Sequence, residues 1–220
     1  LKDLPYKLPN GLIIAGYLKR GDCRDALVSN KGDSLKSLKS NSIIGTSSIR
    51  REIQLRQLRP DLKVKLIRGN VETRIKKLYR GEYDGILLAM AGLKRLSIFQ
   101  DVNPISSNLF VPAIGQGAIA IVTREKDNEL VSLIKKISNL NTKLEVECER
   151  SFLAGFDGSC QTPVGAIAKV LYENNKKKIK FRYFGSDFSG KEIKTGKRLL
   201  EIQNCKTKCY DLGKKVSKIL

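Results

Sequence analysis

The sequence contains no histidine and no tryptophan, and only one methionine and six prolines in 220 residues. Without histidine the chain excludes every Ser-His-Asp or Cys-His nucleophile pair and every histidine-ligated metal centre. No apolar run approaches the roughly 18 residues that a membrane-spanning helix needs, and no basic n-region precedes an apolar h-region of a secretory leader. The five cysteines, at positions 23, 148, 160, 205 and 209, form neither an even disulfide framework nor a CxxC pair. Cys205 and Cys209 in CKTKC have no second pair beside them, so no metal site is expected.

Acidic residues are the other shortage. Asp plus Glu number 22 against 42 Lys plus Arg, a formal charge of +20. Such a balance admits a nucleic-acid partner. Many lysines, however, lie in runs such as NNKKKIK (174–180) and GKKVSK (213–218), where solvation of the surface is a sufficient account. The arginines differ, clustering at positions 20, 24, 50, 51, 56, 59, 68 and 74, close to the predicted turns.

The stretch GTSSIRREIQLRQLRPDLKVKLIRGNVETR, residues 45–74, holds the clearest pattern. Ile43 and Ile44 end a buried strand, Gly45 turns the backbone, and Thr46, Ser47 and Ser48 cap a helix that carries Arg50 and Arg51 in its first turn. The pattern repeats: Leu62, Val64 and Leu66 alternate as a strand, Arg68, Gly69 and Asn70 make the turn, and a second helix starts near Val71 with Arg74 one turn in. A helix N-terminus offers free N–H groups and a positive field, and guanidiniums add forked donors, so each junction is a candidate anion site. Two such junctions in one sheet place their basic groups at one edge, where open α/β sheets bind ligands. Solvated helix arginines are the plain alternative.

From Ser42 to Ala89 the chain reads β-α-β-α-β, with helices near Ser48–Arg59 and Val71–Leu78 and a strand at Tyr83–Ala89 buried on both faces. Earlier strands are expected at Leu12–Ala15 and Ala26–Ser29, and a weak helical turn at Leu35–Leu38. A short helix follows at Ala91–Leu96, and Asp101–Asn108 reads as a linker edge. A strand at Ala118–Val122 is expected to return to a sheet begun at residues 12–15. Helices at Asn128–Ile137 and Thr142–Leu153 precede an antiparallel pair at 166–172 and 178–184, and the last helix spans Thr207–Leu220. Gly115, Gln116 and Gly117 fall short of the fuller dinucleotide or nucleoside-triphosphate patterns and read as a structural turn before a phosphate cradle. Cys160, in the Gly-rich GFDGSCQTPVG loop (155–165), is either a nucleophile or attachment point or a passive loop thiol; no base can be placed beside it. Asp3 reads on its own as a surface carboxylate.

The motifs KDLP (2–5), RGDCRDALVS (20–29), GTSSIRR (45–51), RPDL (59–62), RGNVETR (68–74), LLAMAGLKRL (87–96), PAIGQGA (112–118) and GSCQTPVG (158–165), in this order, make the chain resemble the porphobilinogen deaminases, also called hydroxymethylbilane synthases. The resemblance implies an α/β, multi-domain fold: two periplasmic-binding-protein-like lobes, then a small α/β C-terminal domain with an antiparallel sheet. Its domains would be 1–19 with 115–138, 24–112, and 141–220. Family members carry a further N-terminal region, so it also implies an N-terminally incomplete chain whose first lobe is a remnant with exposed sheet edges.

The implied activity is that of a cytoplasmic, monomeric transferase of tetrapyrrole, porphyrin and haem biosynthesis. It would polymerise four porphobilinogens head to tail, with loss of ammonia, into hydroxymethylbilane. A dipyrromethane cofactor would be held through a thioether to Cys160. Asp3 would be the catalytic carboxylate; Lys2, Ser48, Arg50, Arg51 and Arg74 would bind cofactor, and Arg20, Arg68 and Arg95 substrate, with no metal, nucleic acid or membrane partner. Competing classes are an arginine-rich nucleic-acid-binding protein, though no stacking motif or reading helix is present, and a non-catalytic two-lobed binder of a small carboxylate, which would leave Cys160 and Asp3 without chemistry.

Overall fold

The computed structural model describes residues 1–156, 162–173 and 176–220. It divides into two compact units, one formed by residues 22–112 and the other by 1–21 with 113–220. The described residues are mixed α/β, with three separate sheets among them.

In the 22–112 unit, β2 (Asp25–Ser29), β3 (Ile43–Gly45), β4 (Lys63–Lys65), β5 (Gly85–Ala89) and β6 (Val102–Pro104) form one sheet in the order β4-β3-β5-β2-β6. The strand β1 (Leu12–Tyr17) belongs to the other unit. As expected from the β-α-β-α-β reading, β3 is parallel to both β4 and β5, with α1 (Ile49–Leu58) and α2 (Val71–Tyr79) as the crossovers. β2 runs antiparallel between β5 and β6. Side chains alternate across the sheet with the period of two that a pleated strand imposes. Ala26, Val28, Ile86 and Leu88 enter one core with Leu78 of α2 and Leu93 of α3 (Met90–Arg95). Leu27, Ile44 and Leu87 enter the opposite one with Leu55 of α1 and Phe110.

One expectation changes here. Residues 101–108 are not merely a linker edge, because Val102, Asn103 and Pro104 pair with Val28, Leu27 and Ala26. Proline, which lacks the ladder N–H, is accommodated on an edge strand. Leu35–Leu38 is the single helical turn expected there, closed onto the Ser34 carbonyl by the N–H groups of Ser37 and Leu38.

In the other unit β1 pairs antiparallel with β7 (Ala120–Arg124), from Leu12 opposite Arg124 to Tyr17 opposite Ala120. This is the return expected of that segment, shifted two residues along the chain. α4 (Asn128–Ile137) packs on β1. Gly16 permits the approach, since a Cβ there would lie 2.7 Å from Ile134 Cγ2. β8 (Val164–Glu173), β9 (Lys176–Ser186) and β10 (Ile193–Glu201) form an antiparallel sheet in the order β10-β9-β8. The β8–β9 pair was expected; β10 was not. α5 (Leu140–Gly155) and α6 (Cys205–Ser217) cover a core that includes Phe152, Phe156, Phe181 and Tyr183. The two helices touch backbone to backbone: a Cβ on Gly213 would lie 2.1 Å from the Phe152 carbonyl oxygen, and one on Gly155 1.9 Å from that of Tyr210. Asn139 begins α5 by accepting a hydrogen bond from Thr142 N at 2.8 Å, satisfying a donor that the helix start leaves open.

Candidate functional site

Because β3 and β4 are parallel neighbours, the β3–α1 and β4–α2 junctions lie at the same edge of the sheet. Ser48 is the extended residue before α1 and its side chain makes no capping hydrogen bond. Arg50 and Arg51 follow, and both are buried. They meet around Asp25, the first residue of β2, which is fully buried. Arg51 donates through Nε and Nη2 to Asp25 Oδ1 at 3.0 and 2.7 Å, and through Nη1 to the Leu87 carbonyl at 2.9 Å. Arg50 Nη2 lies 2.9 Å from Asp25 Oδ2, while its Nη1 donates to the Val111 carbonyl at 2.5 Å. Gln54, one turn along α1, braces the same point by donating to Val111 O and accepting from Val111 N.

The cluster carries two guanidiniums for one carboxylate. Burial pulls the Arg50 pKa down, the Asp25 charge opposes that shift, and Arg51 adds to it. Arg74, in the first turn of α2, has its pKa lowered by burial and then by the charge of Arg51. Its Nε is held by the Gly69 carbonyl at 2.7 Å. Gly69 itself has φ +118°, a conformation glycine adopts without strain. Asn70 then caps α2 by accepting from Thr73 N at 2.8 Å. The structure thus brings Arg50, Arg51 and Arg74 into one positive field, with the half-buried Ser48 and the exposed Arg68 on the adjoining junctions. Arg95 is exposed at the far end of α3.

The remaining candidates lie in the other unit. Arg20, assigned to substrate by the resemblance, is occupied internally. Its Nη1 and Nη2 fork onto Glu149 at 2.6 and 3.1 Å, its Nε and Nη2 donate to the Gln116 carbonyl, and Glu145 lies 3.7 Å away. Glu149 also accepts from Gly115 N and Ala168 N, each at 2.8 Å. One buried carboxylate therefore ties Arg20, the GQG turn and β8 together. Gly115 and Gly117 have φ of +71° and +79°, and with Gly115 N engaged by Glu149 the segment serves as a turn.

Lys2 and Asp3 are exposed on the N-terminal turn. That turn is closed by Leu4 N on Leu1 O at 2.9 Å and anchored by the Leu1 backbone nitrogen on Ala118 O at 3.1 Å. Cys160, the expected attachment point, lies outside the described residues. Cys23, Cys148, Cys205 and Cys209 are buried thiols, and burial together with Cys148 pushes the Cys205 pKa up to about 12. Contact with Cys209 and burial raise the Cys148 pKa as well, so Cys148 and Cys205 are poor nucleophiles at neutral pH.

Sequence reasoning missed Asp25 and Glu149. The signal for Asp25 was a carboxylate opening the otherwise apolar DALVS strand. For Glu149 it was an acid in register, at i±4, with Glu145 and Leu153 on a helix read only for its apolar side.

A family model described as "Porphobilinogen deaminase, dipyromethane cofactor binding domain" matches residues 1–132, and "Porphobilinogen deaminase, C-terminal domain" matches residues 143–220. The chain belongs to the porphobilinogen deaminase family. It is 48% identical to the porphobilinogen deaminase of Exiguobacterium sibiricum over 172 residues, covering 77% of this chain and 56% of that protein. It is 46% identical to that of Nitrobacter hamburgensis over 182 residues, covering 82% and 56%, and 47% identical to that of Streptococcus sanguinis over 174 residues, covering 77% and 57%. The chain thus spans little more than half the length of these relatives. A solved amino acid ABC transporter substrate-binding protein from Streptococcus pneumoniae shares 14% identity over 55% of this chain and 52% of its own at a TM-score of 0.33, too loose a likeness to argue from.

Proposed function

We propose that the chain serves a deaminating transferase that joins four porphobilinogens head to tail into hydroxymethylbilane, on a dipyrromethane primer attached through a thioether to Cys160. The observation that carries this reading is the cation excess at Asp25: two buried guanidiniums share one carboxylate, and Arg74 lies within the field of Arg51. A buried positive charge without full compensation favours an anionic occupant. Pyrroles bearing acetate and propionate supply such anions, so the donor set fits the cofactor.

In this reading Arg50, Arg51 and Arg74, with Ser48 and Lys2, hold cofactor carboxylates, and the exposed Arg68 and Arg95 receive those of substrate. Arg20 belongs to the substrate group only insofar as it can exchange its internal partners. When bound, the cofactor supplies the pyrrole carbon from which the chain grows. Asp3 contributes a carboxylate that assists departure of ammonia, stabilises the cation left on the substrate, and accepts the proton released from the pyrrole carbon as the new bond forms. The same reading makes the units 1–19 with 115–138, 24–112 and 141–220 two lobes and a C-terminal domain of a cytoplasmic monomer.

Intact-mass measurement on the chain purified from cells that make porphobilinogen tests the proposal. The expected result is an adduct of two pyrrole units, mapped to Cys160 and lost in Cys160→Ser. An adduct on Cys23, Cys148, Cys205 or Cys209, or a wild-type chain with no adduct, overturns it.

A further inference from the structure

We infer that Arg150 is a positioning residue that fixes the turn bearing Lys2 and Asp3; the inference rests on the role proposed for Asp3. Arg150 sits in the middle of α5, between the fully buried Val146 and Phe152, and is itself 9% exposed. Its Nη2 donates to the carbonyl oxygens of Pro5 at 2.8 Å and Tyr6 at 2.6 Å. Its guanidinium lies over the Tyr6 ring, 5.5 Å from the centroid. Three contacts thus reach two consecutive residues that are some 145 positions away in sequence. Among the described residues Arg150 has no carboxylate partner.

That arrangement is unusual for a buried cation. Burial lowers the Arg150 pKa, against the opposing influence of Tyr17 and Tyr6. A charge taken out of water is ordinarily matched by an acid, whereas here the compensation comes from carbonyl dipoles and a ring face. Charge-assisted bonds to carbonyls are roughly twice as strong as neutral ones, and a stacked guanidinium adds a cation–π contribution. Tyr6 is 50% exposed, so burial of its ring does not account for its position; the stack on Arg150 does. Upstream the turn is anchored at Leu1, whose backbone nitrogen bonds Ala118 O and whose side chain lies against Gly115. Lys2 and Asp3 therefore sit on a short span held at both ends, by Ala118 on one side and by Arg150 on the other. α5 makes a stiff support, since the preceding residue, Glu149, locks the same helix to Arg20, Gly115 and Ala168.

A carboxylate that must meet a transient cation loses rate steeply with misplacement; an error of about 1 Å costs on the order of 10²-fold. The tether acts on that position and not on recognition of substrate carboxylates. Arg150→Gln, Arg150→Lys and Tyr6→Leu test it, with two readouts on the 220-residue chain. The first is limited trypsin cleavage after Lys2 and Lys7, which reports the turn directly and needs no activity. The second is single-turnover condensation of porphobilinogen on protein already carrying the primer, with the substrate dependence resolved into kcat and KM.

The expected result is at least about tenfold faster cleavage in Arg150→Gln, and a condensation rate lowered by on the order of 10²-fold at unchanged KM. Arg150→Lys should recover part of both, and Tyr6→Leu, which alters only an exposed ring, should show smaller changes in the same direction. Wild-type cleavage in Arg150→Gln overturns the tether. Faster cleavage with wild-type kcat overturns its role in positioning Asp3, as does a loss of activity in Arg150→Gln that follows its melting temperature while Tyr6→Leu is unchanged in both readouts. Should the wild-type chain itself fail to condense porphobilinogen, the function proposed above falls, and the cleavage rates still uphold or overturn the tether.

Discussion

Between residues 22 and 112 one buried carboxylate, Asp25, meets the guanidiniums of Arg50 and Arg51; in the other unit one guanidinium, Arg20, meets the carboxylates of Glu149 and Glu145. The same chemistry is used in opposite proportion. Around Glu149 every component serves the fold: the carboxylate saturates its oxygens with Arg20 and two backbone N–H groups drawn from different parts of the chain. Around Asp25 the carboxylate is outnumbered, and the surplus positive charge lies beside the two strand–helix junctions. A closed cluster stabilises the chain by itself, whereas a cluster with surplus charge gains from a ligand that brings the missing anion.

Breaking the closed cluster should have the largest effect. Glu149→Ala takes the carboxylate fork from Arg20, leaving it the Gln116 carbonyl and the more distant Glu145, and unpairs two buried N–H groups; it is expected to cost about 3–5 kcal/mol of unfolding free energy, measured by urea titration. Glu149→Gln, which keeps an acceptor, should fall between that variant and the wild type. A loss below about 1 kcal/mol for Glu149→Ala would show that the cluster relaxes onto other partners.

The open cluster should respond unevenly to loss of its two arginines. Arg51→Ala removes both donors to Asp25 Oδ1 and the bond to Leu87, and is expected to cost about 3 kcal/mol. Arg50→Ala leaves Asp25 paired with Arg51 and should cost about 1–2 kcal/mol, while weakening assembly of the primer as read by adduct mass. Its loss reaches the core, since the side chain is 4% exposed and braced by Val111 and Gln54. Equal losses in the two variants would erase the distinction between the clusters.

The smallest effect belongs to Asp22, a half-buried carboxylate whose partners Arg24 and Lys94 reach into solvent, which offers a control. Its hydrogen bond with Arg24, aided by Lys94, holds the carboxyl well below the ordinary value of 3.8. A pKa depressed by folding stabilises the native state above about pH 4, and that contribution is lost as pH falls further. Asp22→Asn should therefore be less stable than wild type at neutral pH, by under about 1 kcal/mol after solvent screening. The two unfolding curves should converge as the pH drops from 4 towards 2. A gap that persists at the acid end would mean that packing, and not charge, makes the difference.

What could be read from the sequence follows from the range of each interaction. The helix bounds at Asn128 and Ile137, the parallel β3–β4–β5 core and the return of β7 to β1 all rest on local periodicity and turn residues. β10 escaped because IKTGKRLLE leaves most of its side chains in water; the strand is defined by pairing with β9 from Ile193 to Glu201, which no local pattern records. The arginines were found, but not their direction. Whether Arg51 faces a ligand or the interior depends on Asp25, 26 positions away, and Arg20 depends on Glu149, 129 positions away. A residue's type shows that it needs a partner; the topology decides which one it meets.

The position of β2 also sets a timetable. It is the earliest strand of its sheet in sequence, yet its neighbours on either side are β5 and β6, so Asp25 waits until a ribosome has delivered nearly the whole unit before its strand is flanked. β1 waits longer, because β7 emerges only after the 22–112 segment has passed. Closing such long loops carries an entropy cost that is met before the distant contacts form. The 22–112 segment can therefore close during synthesis while β1 still awaits β7.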